Sequence, residues 1–174
     1  LSDQDRRGVA ALAADLEARF GAPPLNDAAL IALGDDTLTH LLARDGGRLV
    51  GYAQLDRLDQ ATATAEVAVA DEVAGALLDA VRDRQPGSLV WAHGQHSPVG
   101  AAAQARGYPA VRTLWQLRRP LTELAPVPPH DVPIRPFEVG RDEGAWLELN
   151  AAAFAHHPEQ GSWTRADLIA RENE

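Results

Sequence analysis

The chain contains no cysteine, so it has no disulfide framework, no thiolate metal site and no cysteine nucleophile. It also lacks lysine: all 16 basic residues are arginine, scattered rather than clustered, and against 25 carboxylates they leave a net charge of −9. A phosphate backbone would be repelled by that balance, so nucleic acid is not an expected partner. No apolar run approaches the roughly 18 residues that span a bilayer, and no charged stretch leads into a short apolar one at the start. A membrane is therefore not an expected partner either, and the cytoplasm is the expected compartment.

What is present fits a globular protein. Apolar residues make up 45% and charged residues 24% of 174 positions, which suits one domain plus a remainder rather than disorder or a fibrous repeat. Val9, Leu12, Leu16 and Phe20 recur at helical spacing over 3–20, with Ser2 and Asp5 placed to cap the start. Gly21-Ala22-Pro23-Pro24 breaks that helix, and Asn26 is placed to cap a second, short one ending at Leu33. Two short apolar runs, 39–44 and 49–55, flank Asp45-Gly46-Gly47 and predict a hairpin. Further strands are expected over 62–69, 89–92 and 111–117, and further helices over 72–84 and 98–106. The order ααβββαβαβ argues for a mixed α/β or α+β sheet with helices on both faces.

Six of the twelve prolines fall between Pro120 and Pro136. Such a stretch forms neither helix nor central strand and should act as a stiff, extended connector. Beyond it, 132–137 predicts a strand, 141–154 a helix, and Trp163-Thr164 the cap of another helix. The opening of the first domain is thus repeated.

Several side chains invite a chemical reading. His156-His157-Pro158-Glu159 and the pair His93 and His96 gather imidazoles locally, but neither has a ligand set of recognised spacing, so no metal is expected. Ser97 and Ser162 lack a hydrolase pattern. Glu66 is a candidate general base, a role that needs a raised pKa and reach to an amine.

The block Asn150–Thr164, reading NAAAFAHHPEQGSWT, is more specific than any repeating element requires. It resembles the segment that opens the second acetyltransferase domain in the mycothiol acetyltransferase (mycothiol synthase) family, tandem-GNAT enzymes of actinobacteria. The two-helix start, the strand Glu66-Val67-Ala68-Val69, the tetrad Trp91-Ala92-His93-Gly94 and the run WQLRRPL from Trp115 resemble the family as well. The absence of lysine beside abundant alanine agrees with the high-GC genomes of that group.

The resemblance implies a GNAT acyl-CoA N-acyltransferase fold, its first strand lying before Leu1, with a mixed, mostly antiparallel sheet. It implies a first GNAT-like domain over 1–119, a linker over 120–131, and a truncated start of a second domain over 132–174. The implied reaction moves acetyl from acetyl-CoA to the cysteinyl amine of cysteinyl-glucosaminyl-inositol, with no metal, in a protein that is monomeric at full length. Val67, Ala68, Val69 and Gly75 match positions that contact acetyl-CoA, while Asp27 and Glu174 match carboxylates that contact the acceptor. The family places its base in the second domain, so no catalytic residue is assigned here and little activity is expected of this chain alone. Tryptophan of the tetrad is expected in the core, with His93 lining the cleft.

One departure stands out. The loop that wraps the pyrophosphate is reduced to Ala70-Asp71-Glu72, which brings negative charge where an anion needs free amides and positive charge. Either a longer loop belongs between Val69 and Asp71, and the four residues contact acetyl-CoA, or the loop is deleted and they are core packing only. The alternatives to the family's reaction are a non-catalytic acetyl-CoA-binding or structural module, and an N-acetyltransferase for another amine that uses Glu66.

Overall fold

The computed structural model describes residues 1–57, 63–117, 119–122, 124, 126, 131–156 and 163–172. The chain divides into two compact units, Leu1–Thr113 and Leu114–Glu174.

In the first unit, helix α1 (Asp3–Phe20) opens where the Ser2 hydroxyl accepts a hydrogen bond from the Asp5 amide at 3.1 Å. Helix α2 (Asp27–Ile31) starts the same way, with the Asn26 side chain accepting from the Ala29 amide at 2.8 Å, and a single 3-10 turn carries it on to Gly34. Strands β1 (Thr39–Asp45) and β2 (Arg48–Arg57) form the hairpin. Gly46 and Gly47 both take positive φ, 53° and 85°, the geometry of a tight turn that matches strand twist and that side chains resist. Strand β3 (Ala63–Val69) pairs antiparallel with β2. Helix α3 (Ala74–Arg84) then crosses to the short strand β4 (Leu89–Trp91), which lies parallel to β3, and helix α4 (Pro98–Ala105) follows. Sheet order is β1-β2-β3-β4.

Both faces of this sheet are covered. Ala53, Leu55, Ala65, Val67 and Val69 pack against Ala74, Leu77, Leu78 and Val81 of α3 and Val99 of α4. On the other face Tyr52 and Ala68 meet Val9, Ala13 and Leu16 of α1, together with Leu25, Ala29 and Leu33. Double burial explains why β3 reads as a nearly continuous apolar run instead of alternating with polar residues. Gly51 is needed for a related reason: a Cβ there would lie 3.0 Å from Val69 Cγ2 and 3.2 Å from both Ala43 Cβ and Leu77 Cδ2. The mixed, mostly antiparallel sheet with helices on both faces is the architecture that the GNAT resemblance implied.

Two expected strands are absent. Residues 111–117 and 132–137 have no strand pairing, and their apolar side chains stay exposed, Trp115 by 83% and Leu117 by 89%. An extended run becomes a strand only when a neighbouring strand receives its amides and carbonyls in a regular ladder, and neither run is part of one.

The second unit holds helices α5 (Glu143–Ala153) and α6 (Arg165–Glu172). Thr164 and Asp167 cap α6 reciprocally, the Thr164 amide donating to Asp167 Oδ2 at 2.8 Å and the Asp167 amide to Thr164 Oγ1 at 3.3 Å. Trp146 and Trp163 meet edge to face at 5.4 Å.

Ahead of α5, Arg135 grips Asp142 with two bonds of 2.5 and 2.7 Å, and the Glu138 amide adds a third at 2.9 Å. Arg135, then the Glu138 amide, holds the Asp142 carboxyl well below the ordinary carboxylate range. A carboxyl whose folded pKa is depressed stabilises above its unfolded value and loses that contribution as pH falls toward the folded one. Carboxyl chemical shifts in an acid titration should therefore show Asp142 ionised after exposed carboxylates have taken up protons, and Arg135→Ala should move its titration upward to join theirs. An unmoved midpoint in that variant would contradict the assignment.

Candidate functional site

Strand β3 outlasts its parallel neighbour. Pairing with β4 runs through Thr64↔Leu89 and Ala65↔Val90 to Glu66↔Trp91 and stops, while β3 continues through Val67, Ala68 and Val69. The two strands thus form a fork with Glu66 and Trp91 at its base.

The hydrogen-bonding parity of β3 is fixed on its other edge. The Ala70 amide donates to the Val50 carbonyl at 3.0 Å, and in an antiparallel ladder bonded and non-bonded pairs alternate. Ala68, opposite Tyr52, is therefore a bonded pair, whereas Val67 and Val69 turn their N–H and C=O groups away from β2: the Val67 amide faces Trp91, the last paired residue of β4, and the Val67 carbonyl and the Val69 groups lie past it. As whole residues the two valines are 1% and 2% exposed, and their side chains belong to the core under α3. Ala68 is buried on the α1 side.

The approach to α3 is built differently from a phosphate-binding loop. One 3-10 turn, Asp71–Val73, follows Ala70, and Asp71 Oδ2 accepts from Arg19 at 2.5 Å. Gly75 lies in the first turn of α3 beneath the Arg106 guanidinium, so close that an added Cβ would fall 2.0 Å from its Nη2. Arg106 is in turn held by two bonds to Asp79, 3.1 and 3.2 Å long. That arginine holds the Asp79 carboxyl below its ordinary value.

At the base of the fork, Glu66 is 7% exposed. Its Oε1 accepts from Asn26 Nδ2 at 2.7 Å, and its Oε2 accepts from His93 Nε2 at 2.7 Å and from the Asn26 amide at 3.4 Å. One carboxylate therefore joins the start of α2, the middle of the sheet and the segment after β4. The His93 ring stacks on Trp91, 6.0 Å between centroids and 17° from parallel. Sequence reading noticed Glu66, His93 and Asn26 separately but missed their convergence. The available signal was a lone carboxylate in a doubly buried strand, which needs partners.

Asp27 is the first residue of α2 and is exposed, next to the Asn26 that Glu66 holds. Trp91 is half-buried rather than a core residue. Ser97 caps α4, accepting from the Val99 amide at 3.3 Å. Glu174 lies outside the described residues, as do Ser162 and the His157-Pro158-Glu159 part of the histidine motif. No helix among the described residues is long and apolar enough to cross a membrane.

No family model matches the chain. It is 45% identical to a mycothiol acetyltransferase of Thermomonospora curvata in an alignment covering 100% of the chain and 62% of the relative. For those of Salinispora arenicola and Thermobispora bispora, identity is 46% and 42%, covering 88% and 98% of the chain and 54% and 61% of the relatives. The Thermomonospora alignment runs over 185 residues against 174 here, so the relative has positions that this chain lacks. The chain belongs by sequence to the mycothiol acetyltransferase family, and it spans about three fifths of the length of the relatives it matches.

Proposed function

We propose that this chain is part of an acetyl-CoA-dependent N-acetyltransferase of mycothiol biosynthesis, and that its first unit holds acetyl-CoA in the fork between β3 and β4. The observation that carries this reading is the end of β3, where the Val67 carbonyl and the Val69 backbone groups point away from β2 past the last pair that β4 makes. An amide-containing pantetheine arm would complete the ladder there, as an added strand does at any sheet edge. Ala68 contributes only its place between them. Gly75 leaves room for the Arg106 guanidinium over the start of α3, so the diphosphate meets an arginine there in place of a wrapping loop.

In the complete protein, the acceptor is cysteinyl-glucosaminyl-inositol. Its amine loses a proton, attacks the thioester carbonyl and expels coenzyme A, with donor groups stabilising the oxyanion. Asp27 and Glu174 supply carboxylates to the hydroxyl- and ammonium-bearing acceptor, since charge-assisted bonds are the stronger kind. Residues 1–119 form the first GNAT-like domain, 120–131 the connector, and 132–174 the beginning of the second domain.

Titration of the purified chain with acetyl-CoA, followed by amide hydrogen exchange, tests the donor site. Saturable binding with slowed exchange at Val69, and little change at Tyr52, is the expected result. An absence of binding, or protection confined to other segments, would overturn it.

A further inference from the structure

We propose that Glu66 and Asn26 are positioning residues for acceptor binding: the carboxylate holds Asn26, Asn26 fixes the start of α2, and the start of α2 sets where Asp27 meets the acceptor. The inference rests on Asp27 contacting the acceptor and adds the residues that hold it in place.

Helix α2 is five residues long, too short to keep its shape unaided. Its first turn is nevertheless fixed to the sheet by polar groups. Gln54 and Glu66 face each other across the β2–β3 ladder, and among the described residues they are the two buried polar side chains of the first unit. Both reach α2: Gln54 Nε2 donates to the Ala29 carbonyl at 3.1 Å, and Glu66 Oε1 accepts from Asn26 Nδ2 at 2.7 Å. Burying polar groups is costly even when they are paired. What they add over apolar packing, which is non-directional, is a defined place for the backbone of α2. Asn26 is bonded at both ends of its amide, since its Oδ1 caps the helix by accepting from the Ala29 amide at 2.8 Å while its Nδ2 is held by the carboxylate. Glu66 is anchored in turn on its other oxygen by His93 Nε2 at 2.7 Å. The connector before α2 is set as well: Gly94, at φ 81°, passes so near that an added Cβ would stand 2.9 Å from Ala22 Cβ. Asp27 is the next residue after Asn26, is exposed, and begins α2, so its backbone takes its position from this network. A binding carboxylate must be held to about 0.5 Å to make a good charge-assisted bond, and a rigid support supplies that.

Steady-state kinetics of the complete protein, with cysteinyl-glucosaminyl-inositol as the varied substrate, test this. Asp27→Ala should raise the KM for that acceptor about tenfold or more, the loss expected of one charge-assisted bond. Asn26→Ser keeps an oxygen that caps α2 but is too short to reach Glu66, so folding is spared while the tie is cut. It should raise the same KM about fivefold, with kcat and the KM for acetyl-CoA within about twofold, and Glu66→Ala should raise it at least as much. The deciding variant combines two changes: in the Asp27→Ala background, Asn26→Ser should raise the KM no further, because it acts only through Asp27. A further rise of about fivefold in that background overturns the proposal, as does an unchanged KM in Asn26→Ser or an equal rise in the KM for acetyl-CoA. An unchanged KM in Asp27→Ala overturns it together with the reading of Asp27 as an acceptor contact.

Discussion

Tyr52→Ala is expected to lower the stability of the first unit by about 3–5 kcal/mol, in the range of other buried aromatic truncations. The ring is fully buried at 0% exposure and is the largest side chain in that class among the described residues. It fills the space where β2 meets α1 and α2, among Val9, Leu16, Leu25 and Ala29. The cost also has a polar part. His40 Nε2 contacts the Asp35 carbonyl at 3.0 Å and must donate to it, which leaves Nδ1 to accept the Tyr52 hydroxyl proton at 2.8 Å. Burial pushes the phenol far above its ordinary pKa, so it remains a neutral donor at any working pH. Tyr52→Phe removes the hydroxyl and its bond to His40 while keeping the ring, and should cost about 1 kcal/mol. Urea denaturation followed by circular dichroism checks both. A midpoint for the alanine variant that matches the phenylalanine variant would show that the core collapses around the missing ring.

The contrast between Tyr52 and Ser2 shows what was legible in the sequence. Ser2, Asn26 and Thr164 sit where helices begin because a short side chain satisfies an amide two or three residues on, which is a local rule. Gly46-Gly47 is equally local: two positive φ angles close a two-residue turn. The helix expected over 72–84 begins instead with a 3-10 turn, and α3 proper starts at Ala74, where no side chain caps it. Pairing is not local. The apolar run at 111–117 advertises a surface fit for half-burial but says nothing about whether a strand edge is there to meet it, and here the run joins no ladder. The fork depends on where β4 stops relative to β3, a difference of three residues at the end of a parallel register. No composition or spacing encodes that. The Glu66 cluster joins residues 40 and 27 positions apart in the chain, so only the apolar setting of the carboxylate hinted at it.

Glu66→Ala should destabilise the first unit by about 3 kcal/mol, more than the loss of one ordinary hydrogen bond would explain. Three donors lose their acceptor at once: Asn26 Nδ2, the Asn26 amide and His93 Nε2. Asn26 is exposed, so water recovers part of its loss, whereas the His93 side chain is largely covered and recovers less. The damage should also be directional. Asn26 caps α2 through its oxygen and is tied to the sheet through its nitrogens, so releasing the nitrogens loosens α2 without uncapping it. Gln54 Nε2, which donates to the Ala29 carbonyl at 3.1 Å, then becomes the remaining polar tie from the sheet to α2 among the bonds described. Hydrogen exchange should accordingly quicken at Ala29 and Leu30, while Leu77 and Leu78 on the opposite face keep their protection up to the reduced global limit. A cycle with Asn26→Ala isolates the shared part, and a coupling of about 1–2 kcal/mol is expected because the two residues share one contact network. Strict additivity would mean that Glu66 acts on the sheet and on α2 separately, and that the fork and the start of α2 that bears Asp27 are not mechanically joined through it.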